Sequence, residues 1–432
     1  MHDVLDLCDI VIDELEQLAS TGYPVAELTA SARLAEASGD LIELESIERV
    51  LPGLTRDPRW PYDEPRDEDA LRELLAPLQP MPVDRLTLGA RIRGAWLGRT
   101  IGNTMGKPVE GLSRAQVGAY LRAAGQAPQM GYLPLLDPLP AGVPWLHPSA
   151  PGATAGRFAD VPRDDDIDWT ILNLFVLERH GPEVTTEEIL GAWLDRVPFT
   201  QTYTAERAAY RNAIHGLRPP KTATYRNPYR EWIGALIRAD AFGYVFPGDP
   251  ASAARLALTD ARLSHVGNGL YGEIWAAALV AAALASESPG KALRVARAAV
   301  PPRSRLGEAL DGVDKLFASG ADHVAALDWV DVTLGHYGWV HTLNNAAVVA
   351  IALLWGQSFT GAVAIAVAAG RDTDSTAATV GSVYGALHGD TVIPPELIDH
   401  HVHVRSAVRD FDRITIDELV ERTLRLSNHE SR

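Results

Sequence analysis

Gly370 to Gly389 reads GRDTDSTAATVGSVYGALHG, and the spacing of its small residues decides the fold class. Ala377, Ala378, Gly381, Gly385 and Ala386 recur at three- and four-residue intervals. On a helix that spacing lines one face, where a neighbouring helix can approach closely. Asp372 and Asp374 then fall at or just before the helix N-terminus, with hydroxyls at Thr373, Ser375 and Thr376. Asp and Ser are favoured helix caps, so an ordinary capped core helix accounts for one aspartate. It accounts poorly for two. Two hard oxygen ligands backed by a close-packed helix also suit a Mg2+-type site, and this stretch alone leaves both readings open.

A second acidic cluster stands far upstream. Asp164, Asp165, Asp166 and Asp168 precede Ile171, Leu172, Leu174, Phe175 and Leu177, which fit a buried helix. Three consecutive residues fan over about 200° of a helix, so Asp164 to Asp166 converge only if the first two lie in the turn before it. Four carboxylates packed there without a cation would raise one another's pKa by like-charge repulsion. A charge run is usually a solvated face. This one is wedged between an apolar helix and the Gly-, Pro- and Ala-rich loop 125–163, and long irregular loops of that kind are often functional. A metal site is the favoured reading.

Composition narrows the class. The chain has 432 residues, 47% hydrophobic and 22% charged, which describes a globular protein with a large core. A formal charge of −17 argues against a nucleic-acid partner. The single cysteine, Cys8, excludes an intrachain disulfide framework and Cys-based zinc sites. The acidic start MHDVLDLCDIVIDELEQL does not resemble a signal peptide, and the longest near-apolar run, Ala346 to Trp355, is too short to span a bilayer. A cytoplasmic protein with no membrane partner is expected.

Residues 1–52 read as two or three short amphipathic helices, and the Pro- and charge-rich stretch up to 84 as a linker around one short helix, Glu68 to Leu75. From Arg85 the pattern is helical from Leu86 to about Ile101, and then Gly98, Gly102, Gly106 and Gly111 are expected to loosen the chain. Glu110, beside Lys107 and Pro108, reads on its own as a solvated glutamate. Ala251–Arg262, Tyr271–Ala285, Lys291–Ala299 and Ser304–Phe317 continue the helical pattern, no useful run of strands occurs, and the class is all-α. His265, His341 and Tyr271, taken singly, read as structural residues of the core.

The order of these motifs resembles the ADP-ribosylglycohydrolase family. GAWLGRTIGNTMGKPVEG is similar to the family's GAWLG-like helix and its G-D-A-x-G-x-P-x-E turn. Asp164 to Thr170 is similar to its T-D-D-T-x-M-T segment, Gly370 to Ala377 to its G-G-D-T-D-T/S-x-A segment, and Ser264–His265 to its S-H segment. The resemblance implies a compact multi-helix orthogonal bundle over residues 85–432, with residues 1–84 as an added helical segment and Pro-rich linker. It implies two Mg2+ ions, with Asp165, Asp166, Asp372, Asp374 and Ser375 as ligands and Asp374 bridging both. Glu110, Asp165 and Asp166 are then the catalytic residues, and Tyr271, His265, Trp145 and His147 the candidates for substrate contacts.

Two positions depart from that pattern. Asp164 stands where a threonine ligand is usual and joins the ligand set as a carboxylate, a change that admits Mn2+ or Ca2+. Asn103 stands where an aspartate is common. Arg163 and Arg371 flank the acidic clusters and are placed to compensate their charge. The implied activity is Mg2+-dependent hydrolysis of an ADP-ribosyl N- or O-glycosidic bond, on a modified protein or a small molecule. The alternative is an N-ribosyl hydrolase acting on a free nucleoside or ribosylated metabolite. Asp164-Asp165-x-x-Asp168 also satisfies the DDxxD motif of isoprenoid synthases, and a non-catalytic ADP-ribose binder is a fourth possibility.

Overall fold

Gly94, Gly98, Gly102 and Gly106 carry the Leu88–Gly106 helix directly onto the Thr373–His388 helix. A Cβ at any of the four would fall within 3.0 Å of backbone atoms of, in turn, Gly385 and Gly389, Gly381, Ala377, and Thr373. The partners descend as the glycines ascend, so the two helices are antiparallel and meet backbone on backbone. Spacing of four residues keeps all the contacts on one face. The glycines after Ile101 therefore do not loosen the chain. The helix runs through to Gly106, because this packing outweighs the roughly 1 kcal/mol that each interior glycine costs in propensity.

The structure is a computed structural model describing residues 5–429. It is all-α, with one short antiparallel ladder that pairs His403 with Thr415 and Val404 with Ile414. The Gly267–Ala283 and Thr342–Trp355 helices are apolar nearly all round and buried along almost their whole length, as expected of helices at the centre of a large core. Between Ala123 and Asp165 the chain is irregular except for the 3-10 turn Ala150–Ala153. Among the described residues no helix is long and apolar enough to cross a membrane.

The N-terminal section forms three helices, Leu7–Ser20, Ala26–Ser38 and Leu41–Val50, around an apolar cluster of their own that includes Val11, Leu15, Ala32, Leu44 and Ile47. Buried polar contacts tie it to the rest. Gln17 Nε2 donates to Glu231 Oε2 at 2.8 Å, and Arg305 pairs with Glu231 and with Glu64, each at 2.8 Å. A helix spans Glu68–Leu75. The Pro-rich chain before it is fastened, since Glu64 holds Arg305 and the Pro65 carbonyl accepts from Tyr271 Oη.

Candidate functional site

Antiparallel packing brings the residues just past Gly106 against those around Thr373. The Asp165–His180 helix adds its own N-terminus from the side. A cavity of about 370 Å³ results, lined by Lys107, Glu110, Asp164, Asp165, Asp166, Asp372, Asp374 and Ser375, with Trp145, His147 and Tyr203 among its outer wall.

Asp164 and Asp372 each occupy the N-cap position of their helix, and neither side chain makes a capping hydrogen bond. Asp40, Asp67, Asp249 and Asp322, at the same position on other helices, all do. The two exceptional carboxylates turn into a shared cluster instead. Glu110, Asp372 and Asp374 present oxygens within 4.8 Å of one another, and so do Asp164, Asp166 and Asp374. Asp374 belongs to both triads.

Three oxygens in the cluster, Glu110 Oε2, Asp166 Oδ1 and Asp374 Oδ1, are buried and accept no hydrogen bond, and the first of them is ion-paired with Lys107 at 2.8 Å. A buried carboxylate oxygen left unpaired is costly, and a cation is the partner that would satisfy it. The residues present therefore fit a divalent ion held by carboxylate oxygens. The companion oxygens are occupied. Asp166 Oδ2 accepts from Asn103 Nδ2 at 3.2 Å and from Ser375 Oγ at 3.4 Å, and Asp374 Oδ2 accepts from Lys107 Nζ at 2.7 Å. Arg99, fully buried, donates from Nε (3.0 Å) and Nη2 (2.7 Å) to the Asp166 carbonyl and pairs with Asp240 at 2.8 Å, which fixes where the Asp165–His180 helix begins.

Charge crowding shows in the protonation equilibria. Burial, then Asp164, pushes the Asp165 carboxyl well above the usual range, and burial, then Asp374, does the same to Asp166 and Asp372. Burial and Asp374 push Glu110 up to about 8 against the opposing pull of Lys107. Burial acts to raise Asp164 as well, but the Lys107 ammonium overcomes it and holds that carboxyl below the usual range. Burial would lower Lys107, and Asp164, Asp374 and Glu110 together hold it well above the ordinary lysine value. The cluster carries more negative charge than its own cations neutralise.

The structure separates the sequence candidates. Asp165 is half-buried and lines the cavity, but belongs to neither triad. Asp168 turns away from it, accepting from Arg163 Nε at 2.7 Å, Ser406 Oγ at 2.6 Å and the Ala407 amide at 3.0 Å. The crowd of four aspartates is thereby reduced to three, and the DDxxD reading loses its last member. Arg371 does not compensate the cluster; it pairs with Asp331 and takes a left-handed φ of +69°. Arg163 lies on the cavity wall, bonded to Asp168, Tyr203 and the Gln201 carbonyl.

Tyr271 and His265, expected as substrate contacts, do not line the cavity. Tyr271 is spent on Pro65, and His265 is fully buried with Nδ1 2.8 Å from Ser264 Oγ. Trp145 and His147 do reach the wall from the irregular segment. Trp145 lies against Gly111, where a Cβ would come within 3.0 Å of its ring, and His147 Nδ1 is 3.3 Å from Glu110 Oε2. Sequence reading passed over Lys107, Arg99 and Tyr203. For Lys107 one signal was present, its place three residues before Glu110 in a helical turn, the spacing of an ion pair.

The family pattern described as ADP-ribosylglycohydrolase matches residues 84–431. Comparison with curated proteins finds no relative. Among solved structures, one described as an ADP-ribosylglycohydrolase-related protein complex is similar at 19% identity, over 79% of this chain and 99% of that chain, with a TM-score of 0.46.

Proposed function

We propose, because the chain belongs to the ADP-ribosylglycohydrolase family, that its acidic cavity hydrolyses an N- or O-glycosidic bond of an ADP-ribosyl group with the help of a divalent cation. The observation that carries the reading is the convergence of Asp164 and Asp372, two N-cap aspartates that do not cap, with Glu110, Asp166 and Asp374 in one cavity. Asp166 and Asp374 would hold the cation, with Asp164 and Ser375 beside them, and Mg2+ is the expected ion. When bound, such an ion supplies Lewis-acid polarisation and a fixed point for the ribose hydroxyls.

The chain's own groups supply the rest. Cleavage of a ribosyl bond passes through an oxocarbenium-like transition state, and a cavity of excess carboxylates stabilises the positive charge that develops on the sugar. Glu110 would take the proton of the attacking water as general base in its carboxylate form, which the Lys107 ammonium favours. Its carboxylate is steadied by Lys107 at 2.8 Å on one side and by His147 at 3.3 Å on the other. Trp145, 46% exposed at the mouth, offers a face for a base or leaving group.

The test is release of ADP-ribose from modified protein and from small ribosylated compounds, with and without EDTA, by the wild type and by Asp374→Ala and Asp372→Ala. Activity that survives both substitutions and the chelator would sink the reading. A second reading takes a free nucleoside or ribosylated metabolite as substrate, since the irregular segment supplies Trp145, His147, Pro148 and Ser149 to the cavity wall, where they would close it against a protein. A substrate panel separates the two.

A further inference from the structure

One group of opposite charge stands inside the cluster of carboxylates. Lys107 opens the 3-10 turn Lys107–Val109 and is only 8% exposed. Its Nζ lies 2.7 Å from Asp374 Oδ2, 2.8 Å from Glu110 Oε2 and 2.9 Å from Asp164 Oδ2. One ammonium thus pairs with three carboxylates from three separate parts of the chain, donating a hydrogen bond to Asp374.

The position is fixed by the backbone. Gly106 is pressed onto the Thr373 carbonyl, so the helix exit just before Lys107 cannot shift, and Pro108 restrains the next residue. The ammonium sits between the two triads, taking one oxygen from Glu110, one from Asp164 and one from the shared Asp374. The buried oxygen of Glu110 is the one the lysine holds. Of the buried oxygens that accept no hydrogen bond and lie outside the lysine's contacts, Asp166 Oδ1 belongs to the other triad alone and Asp374 Oδ1 to the residue both triads share.

We propose that the Lys107 ammonium is a built-in cation that fills one of the cluster's two cation positions, so that this chain binds a single divalent ion on the Asp164, Asp166 and Asp374 side. The inference rests on the cation reading of the cavity. The lysine touches two carboxylates of each triad. On the Glu110 side it takes the buried Glu110 oxygen itself, whereas on the other side Asp166 Oδ1 stays clear of it, so a divalent ion meets less of the fixed positive charge there. The lysine makes the second ion dispensable and also excludes it.

Metal stoichiometry tests this without turnover. Mn2+ is titrated into the full chain, bound ion is counted by elemental analysis after gel filtration, and the spectrum is followed by electron paramagnetic resonance. The wild type is expected to bind one Mn2+ per chain with an uncoupled signal. Lys107→Met is expected to bind two, with the spin coupling of a close pair. Two ions in the wild type, or one in Lys107→Met, overturn the lysine proposal and leave the cation reading standing. No ion in the wild type overturns the cation reading itself. If Lys107→Met does not fold, Lys107→Gln replaces it, and the wild-type count still decides.

Discussion

Asn103 Nδ2 donates to Asp164 Oδ2 across 3.2 Å, so the two positions at which the motifs leave the family's pattern are in direct contact. A carboxylate in place of threonine at 164 adds one negative charge, and a carboxamide in place of aspartate at 103 removes one. The same carboxamide also reaches Asp166 Oδ2 at 3.2 Å. The charge has moved across a hydrogen bond while its total within this contact is unchanged.

Asn103→Asp alone should therefore be worse than its family-like appearance implies. It sets a third carboxylate against Asp164 and Asp166 and removes their shared donor, a loss of about 1–3 kcal/mol. Asp164→Thr added to it should restore most of the stability, giving a coupling outside the additive range of about 0.5 kcal/mol. Urea denaturation of the two single variants and the double variant, all in EDTA, measures the cycle.

The glycine contact makes a sharper claim. Gly102→Ala should cost more than about 4 kcal/mol or abolish soluble expression, because its Cβ would be driven into the Ala377 carbonyl and neither backbone can retreat. Gly191→Ala is the control. That glycine lies exposed in the Thr186–Arg196 helix with nothing within 4 Å of a built Cβ, and alanine there should stabilise by about 0.5–1 kcal/mol. Denaturant midpoints of both variants decide it.

Asp166 and Asp168 differ by two positions and should differ in kind. Asp166→Asn should abolish tight Mn2+ binding while leaving the fold intact. Asp168→Asn should bind Mn2+ as the wild type does but lose about 1–3 kcal/mol, since its partners are Arg163, Ser406 and the Ala407 amide. Calorimetric titration beside a thermal melt distinguishes the two effects.

Arg305 is the bolt of the N-terminal section. Its guanidinium meets Glu231 and Glu64 at 2.8 Å and the Ser20 carbonyl at 2.9 Å, all of it buried or nearly so. Arg305→Met would leave two buried carboxylates without their cationic partner, at about 3–5 kcal/mol. Limited proteolysis should then cut first between residues 51 and 67. A digestion pattern unchanged from the wild type would contradict this.

His401 supplies a pH signature remote from the cation cluster. Its ring is buried between Tyr132 Oη at 2.7 Å and Thr100 Oγ1 at 3.0 Å, and burial, helped by His400, lowers its pKa to about 3. The unfolded chain takes up this proton first as the pH falls. The stability His401 contributes is thus complete above about pH 6.5 and is lost as pH falls from there toward 3. Within that window His401→Gln should flatten the pH dependence of unfolding free energy by about 1.4 kcal/mol per pH unit.

The sequence pattern places Asp164 and Asp165 in the turn before one helix and Asp372 and Asp374 at or just before the start of another. The structure puts Asp164 and Asp372 at N-caps, with Asp165 already the first helical residue. Whether such a carboxylate caps its own helix or turns aside depends on partners far along the chain, and local pattern carries no record of that. The passage from Gly102 to Gly106 fails for the opposite reason: local propensity is poor there, and the helix exists because Thr373–His388 lies against it. Tyr271 and His265 show a third limit. A buried polar side chain engaged by Pro65 or Ser264 looks, in sequence, the same as one waiting for a ligand. Asp168 is a similar case, its partners Ser406 and Ala407 being visible only once the chain is folded.

The backbone-on-backbone seam between the Leu88–Gly106 and Thr373–His388 helices also governs how this cavity can change. With no side chains between the strands of the seam, its register can slip only in whole steps of four residues, each about 6 Å along the axis. A single inserted residue would rotate every glycine beyond it by about 100° and part the helices. The distances among Lys107, Glu110, Asp372 and Asp374 are consequently indexed, like teeth on a rack. Such a site can exchange the residues it displays, as positions 103 and 164 do, but it cannot re-space them.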